Sequence, residues 1–407
     1  MRNTDASVSI KPTIRPGTRL APVVEWLALE GRFLPDLSAL AEEICARVNA
    51  AGISVWRFRI GFRTIHPQLS AMGVLWIEGA GAKVIHARHG FEQSDDYLGS
   101  PIEFVFENAA SLRSRLTELD PERDHSVLHS IARAGGTDYL ASPLKFSDGG
   151  VNVLIYATRC ADGFSDEDIR ELEWFSDFLA SVIEVFATRQ LAVTLLDTYV
   201  GRRTSERVMQ GKIRRGDGDK IFAVMWFSDL RDFTALTESL SPERMLSALN
   251  EYFELVAAAV TARGGEILRF IGDAMLIVFP VSSQEELAAA CEAALDSADD
   301  AFSALGALNH RRRRAGLPPL RFGVGLHVGE VIYGNVGAPD RLDFTVMGPA
   351  VNRTARLESL TKTVHVPLLL SAEFVRHANR PARSVGLHVM KGISEPQEIF
   401  ALDESQS

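Results

Sequence analysis

Two aspartates stand where a folded chain would bring carboxylates together. Asp229 ends the apolar run FAVMWFS, and Asp273 lies in LRFIGDAMLIVF, between two further apolar runs. Each run reads as a buried strand, with Gly272-Asp273 as the turn of a hairpin. One strand, a helical crossover and the adjacent hairpin would set both carboxylates side by side at one sheet edge. Two carboxylates at strand ends, with no third acidic cluster nearby, suit magnesium or manganese. Such ions keep waters and take further ligands from substrate phosphates. A pair of them activates an attacking oxygen and clamps a leaving one. SDLRDFT carries the chain from strand into helix, and the backbone N–H groups of its turn face a place where polyphosphate oxygens can dock. A single aspartate after a strand is more often a turn former or helix cap. The pairing with the downstream segments favours chemistry.

Other residues carry weaker signals. Arg269 precedes Asp273 by four positions, and taken alone it is an edge-strand arginine reaching water over Ile267 and Ile271. Asn352 and Arg356 are four apart and share one helix face, which by itself fits a solvated surface. NHRRRR (309–314) closes a helix, where cations complement the dipole. His66, His86 and His89 lack the carboxylate and cysteine partners of a metal cluster and read as solvated.

The elements that must position these groups fall into two blocks. The chain has 407 residues, 46% apolar and 24% charged, enough for two globular cores. Its net charge of −10 argues against nucleic acid as a partner. Cys45, Cys160 and Cys291 are scattered, as buried thiols of a reducing compartment would be. MRNTDASVSIKPTIRPGTRL has no signal-peptide core, and residues 1–34 read as a disordered or lightly docked arm. FLASVIEVFATRQLAVTLL is interrupted by Glu184 and Arg189, so no membrane span is expected and the chain reads as cytoplasmic.

Residues 35–165 mix strands such as ISVWRFRIGF and VNVLIYATR with helix. Residues 166–217 read as a long connecting helix and linker, whose apolar seam could pack against a second copy. Residues 218–402 alternate strand and helix. SPERMLSALNEYF opens a helix with Ser241 as cap and Pro242 at its first position, and RFGVGLHVGEVIYGNVG reads as a hairpin. That order predicts an α+β domain, an antiparallel sheet with helices on one face.

Together FSDLRDFT, LRFIGDAMLIVF, GLHVGEVIYGNVG and LDFTVMGPAVNRTARLE resemble, in order and spacing, the class III nucleotidyl cyclases, the family of adenylate and guanylate cyclases. The resemblance covers residues 218–402 and implies a ferredoxin-like palm, active as a head-to-tail homodimer with sites at the interface. It implies that Asp229 and Asp273 hold two Mg2+ or Mn2+ ions. The loop Leu230, Arg231, Asp232, Phe233 and Thr234 would bind phosphates, with Lys391 of VMKGI at the terminal phosphates. Arg269 and Thr345 would read the base, Asn352 would orient the ribose, and Arg356 would stabilise the charged phosphorus centre. In such a dimer Asp273 serves one site and Arg269 of the same hairpin the other. The end of the N-terminal block, GFSDEDIRELEWFSDFLASVIEVF, is similar to GAF-type sensor domains, which implies an α/β sensor for an unidentified small-molecule effector.

Two positions depart from the cyclase pattern. Arg269 stands where adenylate cyclases usually have lysine, and its planar fork is not equivalent to an ammonium. It can donate to adenine N1 while the Thr345 hydroxyl accepts from the exocyclic amine, whereas guanine presents donors at N1 and N2. These residues therefore imply ATP as substrate, with UTP, CTP or GTP as alternatives. Asp232 replaces the usual glycine, and a carboxylate there would repel a triphosphate unless turned outward or metal-bound. Two other readings follow if turnover is lost or altered: a nucleotide-binding sensor, and a metal-dependent phosphohydrolase.

Overall fold

The computed structural model describes residues 17–393 and 395–403, without the side chains of Thr234, Ala235 and Ser239. The chain divides into two compact units, Met1–Thr198 and Tyr199–Ser407.

In the first unit six strands form a sheet in the order β3-β2-β1-β6-β5-β4. They are β1 (Arg57–Arg63), β2 (Leu69–Ile77), β3 (Gly81–Arg88), β4 (Leu112–Arg115), β5 (Asp138–Lys145) and β6 (Val151–Thr158), and every pairing is antiparallel. Helices α1 (Ala21–Leu29) and α2 (Leu37–Ala50) cover one face, where Leu27 and Ile44 pack on Phe58 and Ile60. Helices α3 (Pro101–Asn108) and α4 (Ser126–Arg133) cover the other, where Val105 and Ile131 meet Tyr139 and Ile155. The expected arm is therefore partly structure. Leu20, Val23 and Leu27 are core residues, because a proline-started apolar turn buries better than it solvates; residues 1–16 lie outside the description.

Helix α5 spans Asp166–Val200, and Ser165 closes its start by bonding Asp168. Its first half is core: Leu172, Phe175, Leu179 and Ile183 are buried in the same cluster as α1 and α2. No residue of α5 after Ile183 is buried. The seam read as a connector thus serves its own unit first. By length and hydropathy alone α5 could also cross a membrane, which the charged positions in the sequence did not suggest. Cys45 is buried and Cys160 is exposed, so the thiols are not uniformly internal.

The second unit is an α+β palm. It begins with α6 (Arg202–Met209), and its strands are β7 (Gly218–Leu230), β8 (Glu266–Ile271), β9 (Ala274–Val281), β10 (Phe322–Ala338), β11 (Arg341–Met347), β12 (Leu368–Ser371), β13 (Ala382–His388) and β14 (Gln397–Leu402). They lie in the order β13-β14-β12-β10-β7-β9-β8, with β11 on the far half of β10. Between them run α7 (Phe233–Ser239), α8 (Pro242–Thr261), α9 (Leu287–Arg314), α10 (Pro349–Val364) and α11 (Ala372–Val375). Ser241 caps α8 by accepting from the Arg244 N–H.

Alternation along β7 separates two layers. Val224 and Trp226 pack under α8 and α9, while Ala223 and Met225 face the side where Ala350 of α10 packs. Helices therefore cover both faces, not one as the sequence order suggested. The apolar residues of GPAVNRTARLESLTK are too few to show which face they seek, and only the pairing of Leu357 with Leu369 settles it.

RFGVGLHVGEVIYGNVG is one continuous strand, not a hairpin. Its glycines make room instead of turning the chain. A Cβ at Gly325 would meet the Glu358 nitrogen at 2.6 Å and the Thr354 carbonyl at 2.7 Å, so this glycine lets α10 press onto β10. A Cβ at Gly334 would meet the Asp217 carbonyl at 2.3 Å.

His327 of β10 is buried, with Nδ1 2.9 Å from the Ser371 hydroxyl that caps α11. Burial pushes its pKa from 6.5 down to about 4, against the pull of Glu373 and with that of Arg353. The unfolded chain then binds a proton that the fold refuses, so stability is present above pH 6.5 and falls as pH drops toward 4. That loss is expected to reach about 3 kcal/mol. Urea midpoints of His327→Gln across this window should fall less steeply than those of the native chain.

Candidate active site

Strand β7 is central, and its end carries the first carboxylate. Asp229 lies opposite Ala274 of β9 and Gly323 of β10. Because Ala274 opens β9, the preceding Asp273 falls beside Asp229. Gly272, with φ of +63°, makes the turn that puts it there. The proton affinity of Asp273 is raised by burial first and by the neighbouring Asp229 charge second. The sequence thus brought the two strand ends together correctly.

Three further charged groups complete this cluster: Arg231, expected from sequence at the phosphates, and Lys362 and Glu358, which the sequence did not single out. Lys362 Nζ lies 2.9 Å from Asp229 Oδ2. Burial lowers the Lys362 pKa, but the hydrogen bond and charge of Asp229 outweigh it and the net shift is upward. Glu358 is 1% exposed and its pKa is pushed up to about 7, by burial and then by Asp229. Arg231 pairs with Glu358 at 3.2 Å, yet both guanidinium Nη atoms and Glu358 Oε1 lack hydrogen-bond partners. Spacing gives the missed signal: Glu358 and Lys362 are four apart in LESLTK and so share one face of α10.

The side chains of the loop after β7 are engaged with the protein itself. Leu230 is a core residue. The Arg231 side chain is turned inward to Glu358, and its N–H donates to the Arg321 carbonyl at 2.7 Å. Asp232 has φ of +57°, the left-handed conformation glycine adopts freely, which accounts for the family's glycine. Its carboxylate points to Arg321 at 2.6 Å and is 64% exposed, so it is turned outward. Phe233 opens α7 and packs against the main core, and the Thr234 side chain lies outside the description. Lys391 sits in an exposed turn beside Met390, which packs with Leu357 of α10.

Gly323 is required by the Arg231 pair. A Cβ there would meet Arg231 Nη2 at 1.8 Å and Thr361 Oγ1 at 2.5 Å. Gly323→Ala is expected to expel the guanidinium and cost about 1–3 kcal/mol in a urea unfolding measurement, because Glu358 is left buried without its cation.

A second cluster forms on β8 and β11. Arg269 pairs with Asp343 at 2.6 Å, not with Asp273, and both are about half exposed. Thr345, two residues along β11 and hence on the same face, is buried opposite Gly334. Asp343 was not picked out from sequence, although it lies in the quoted LDFT. Asn352 and Arg356 are exposed together on α10. Arg356 lies about 200° around the helix from Glu358. The face of α10 turned to Asp229 is therefore not the face that carries Asn352 and Arg356.

Among the described residues no group of three His, Cys, Asp or Glu forms a metal cage. His66 and His89 are engaged with neighbouring backbone, and Arg312 of the basic run is buried against Glu251 and the Pro318 carbonyl. The Asp229–Asp273 pair fits a hard divalent ion: two carboxylates that raise each other's charge density, with the unpartnered carboxylate oxygen Glu358 Oε1 in the same cluster.

The second unit thus sets paired carboxylates at the ends of two adjacent strands of an α+β sheet. Residues 220–395 match the adenylate and guanylate cyclase catalytic domain family, and the chain belongs to the class III nucleotidyl cyclases through this part. It is 35% identical over 178 residues to adenylate cyclase 1 of Rhizobium meliloti, covering 43% of this chain and 26% of that one. It is 33% identical over 158 residues to the adenylate cyclase of Anabaena cylindrica, covering 38% and 30%. The solved guanylyl cyclase Cya2 is 31% identical, covering 47% of this chain and 97% of that one at a TM-score of 0.40. The chain thus spans less than a third of the length of these two curated relatives.

Proposed function

We propose that the chain converts ATP to 3′,5′-cyclic AMP and pyrophosphate, at sites completed by two copies. The observation that carries this is the separation of two half-sites on one unit. Asp229 and Asp273 lie side by side at the strand ends, while Arg269 pairs with Asp343 near Thr345 on other strands. Asn352 and Arg356 project from the opposite side of α10 to Glu358. A head-to-tail partner would bring the second set over the first.

In the reaction the ribose 3′-oxygen bonds to the α-phosphorus as the bond to the β-phosphate bridging oxygen breaks. Pyrophosphate departs, and the hydroxyl proton passes to water. Asp229 and Asp273 would hold a pair of divalent ions, which when bound would supply Lewis acidity toward the hydroxyl and the phosphate oxygens. Arg356 meets the charge that grows on the phosphorus oxygens, and Asn352 holds the ribose so that the 3′-oxygen lies in line. Arg269 donates to adenine N1, and Thr345 accepts from the amine.

One observation favours a second reading. Asp343 sets a carboxylate against Arg269, and an acceptor there suits the N1–H and N2–H groups of guanine. Assay of the purified chain with each of four nucleoside triphosphates and manganese separates the two. Cyclic AMP as main product supports the proposal, and cyclic GMP or a cyclic pyrimidine nucleotide overturns the base assignment. The N-terminal unit is assigned the role of sensor, and a cytoplasmic site of action accords with an intracellular nucleotide substrate.

A further inference from the structure

Strand β1 reads Arg57-Phe58-Arg59-Ile60-Gly61-Phe62-Arg63. Alternation sends Phe58, Ile60 and Phe62 into the core under α1, α2 and α5. It sends Arg57 and Arg59 to the opposite face, beneath α3 and α4. β1 is an inner strand, with β2 on one side and β6 on the other, and both arginines are half-buried on this face. Leu75 and Ile155 flank Arg59 in register, and Ile77 and Ala157 flank Arg57. Two guanidinium groups therefore rise from an apolar floor where aliphatic side chains are the ordinary choice.

Neither has a counterion. Among the described residues no carboxylate acts on either arginine; the groups that do are the buried Tyr139 phenol and, for Arg59, Arg57 itself. Arg59 Nε is buried with no hydrogen-bond partner. Both arginines line a cavity of about 310 Å³ together with Ser100, Ser126, Ser130 and Tyr139. Arg59 also borders an adjoining space of about 50 Å³ lined by His86, Phe91 and Phe106. Two carboxylates lie at these cavities, Glu92 and Asp96, but Glu92 is engaged with Ser70, His89 and Arg63, and Asp96 is exposed.

Burying an unpaired cation is costly, and two like charges on one strand face cost more. A fold keeps such a pair where something else supplies the opposite charge. We infer that this cavity binds a small organic anion, with its carboxylate or phosphate between Arg57 and Arg59 and its apolar body against Phe91, Ile102 and Ile155. Guanidinium forks match carboxylate and phosphate oxygens two at a time, and the volume suits a ligand of about one aromatic ring.

The test uses the full chain, titrated calorimetrically with benzoate, phenyl phosphate and the neutral isostere benzamide. Benzoate or phenyl phosphate should bind and raise the thermal midpoint, and whichever binds more tightly identifies the anionic head; benzamide should do neither. Arg57→Gln and Arg59→Gln should each weaken that binding about 10- to 100-fold. Without ligand, Arg59→Met should raise the thermal midpoint, since it removes an uncompensated buried charge. A structural arginine would do the reverse. The inference is overturned if neither anion binds at millimolar concentration or if benzamide binds equally well. Unchanged binding in the glutamine variants, or a lowered midpoint for Arg59→Met, also overturns it.

Discussion

Asp273→Asn and Asp229→Asn are each expected to lower turnover by about 10³-fold or more, since each removes half of the donor set for the divalent ions. The structure adds a second expectation that separates this loss from misfolding. Asp273 is held against Asp229 at an energetic cost, visible in its raised proton affinity. In the absence of divalent ions, Asp273→Asn should therefore unfold at the same temperature as the native chain or higher. Manganese should raise the native midpoint and leave that of the variant unmoved, because an ion that binds only the folded state stabilises it by mass action. Asp229→Asn behaves differently, because it also strips Lys362 of its partner at 2.9 Å. Its midpoint without metal should fall. A variant that loses turnover while keeping the manganese shift would move the metal site elsewhere.

Mixing two inactive chains is expected to restore activity. Asp273→Ala disables the carboxylate half-site, and Arg356→Ala the half-site on the other side of α10. Each alone should retain under about 1% of turnover, in line with loss of a transition-state donor. With free subunit exchange, half of the dimers are mixed and each carries one intact site of two, so about a quarter of native activity returns. No recovery despite demonstrated mixed dimers would place both half-sites on a single chain.

What the sequence showed of this arrangement depended on how local the determinants were. Asp229 and Asp273 were legible because each follows an apolar run and Gly272 marks the turn, so register did the rest. The cap of α8 was legible for the same reason. Glu358, Lys362 and Asp343 were not singled out, because a charged residue on a helix or strand looks solvated until its partner is known. The long strand β10 was misread as a hairpin because glycine signals turns as well as close packing. Its spacing cannot tell a bend from a helix packed so closely that a Cβ would clash with it. Asp232 shows the same limit: its outward turn depends on Arg321, 89 residues away. In the first unit, WRFRIGFR alternates as plainly as any strand, but only the packing of the helices over it shows that Arg57 and Arg59 line a cavity.

The most direct test of the account is product analysis with ATP and manganese, using the intact chain and following the α-phosphate label. Cyclic 3′,5′-AMP and pyrophosphate in equal amounts are expected. Linear AMP or ADP, or metal-dependent binding of ATP with no release of pyrophosphate, would contradict it.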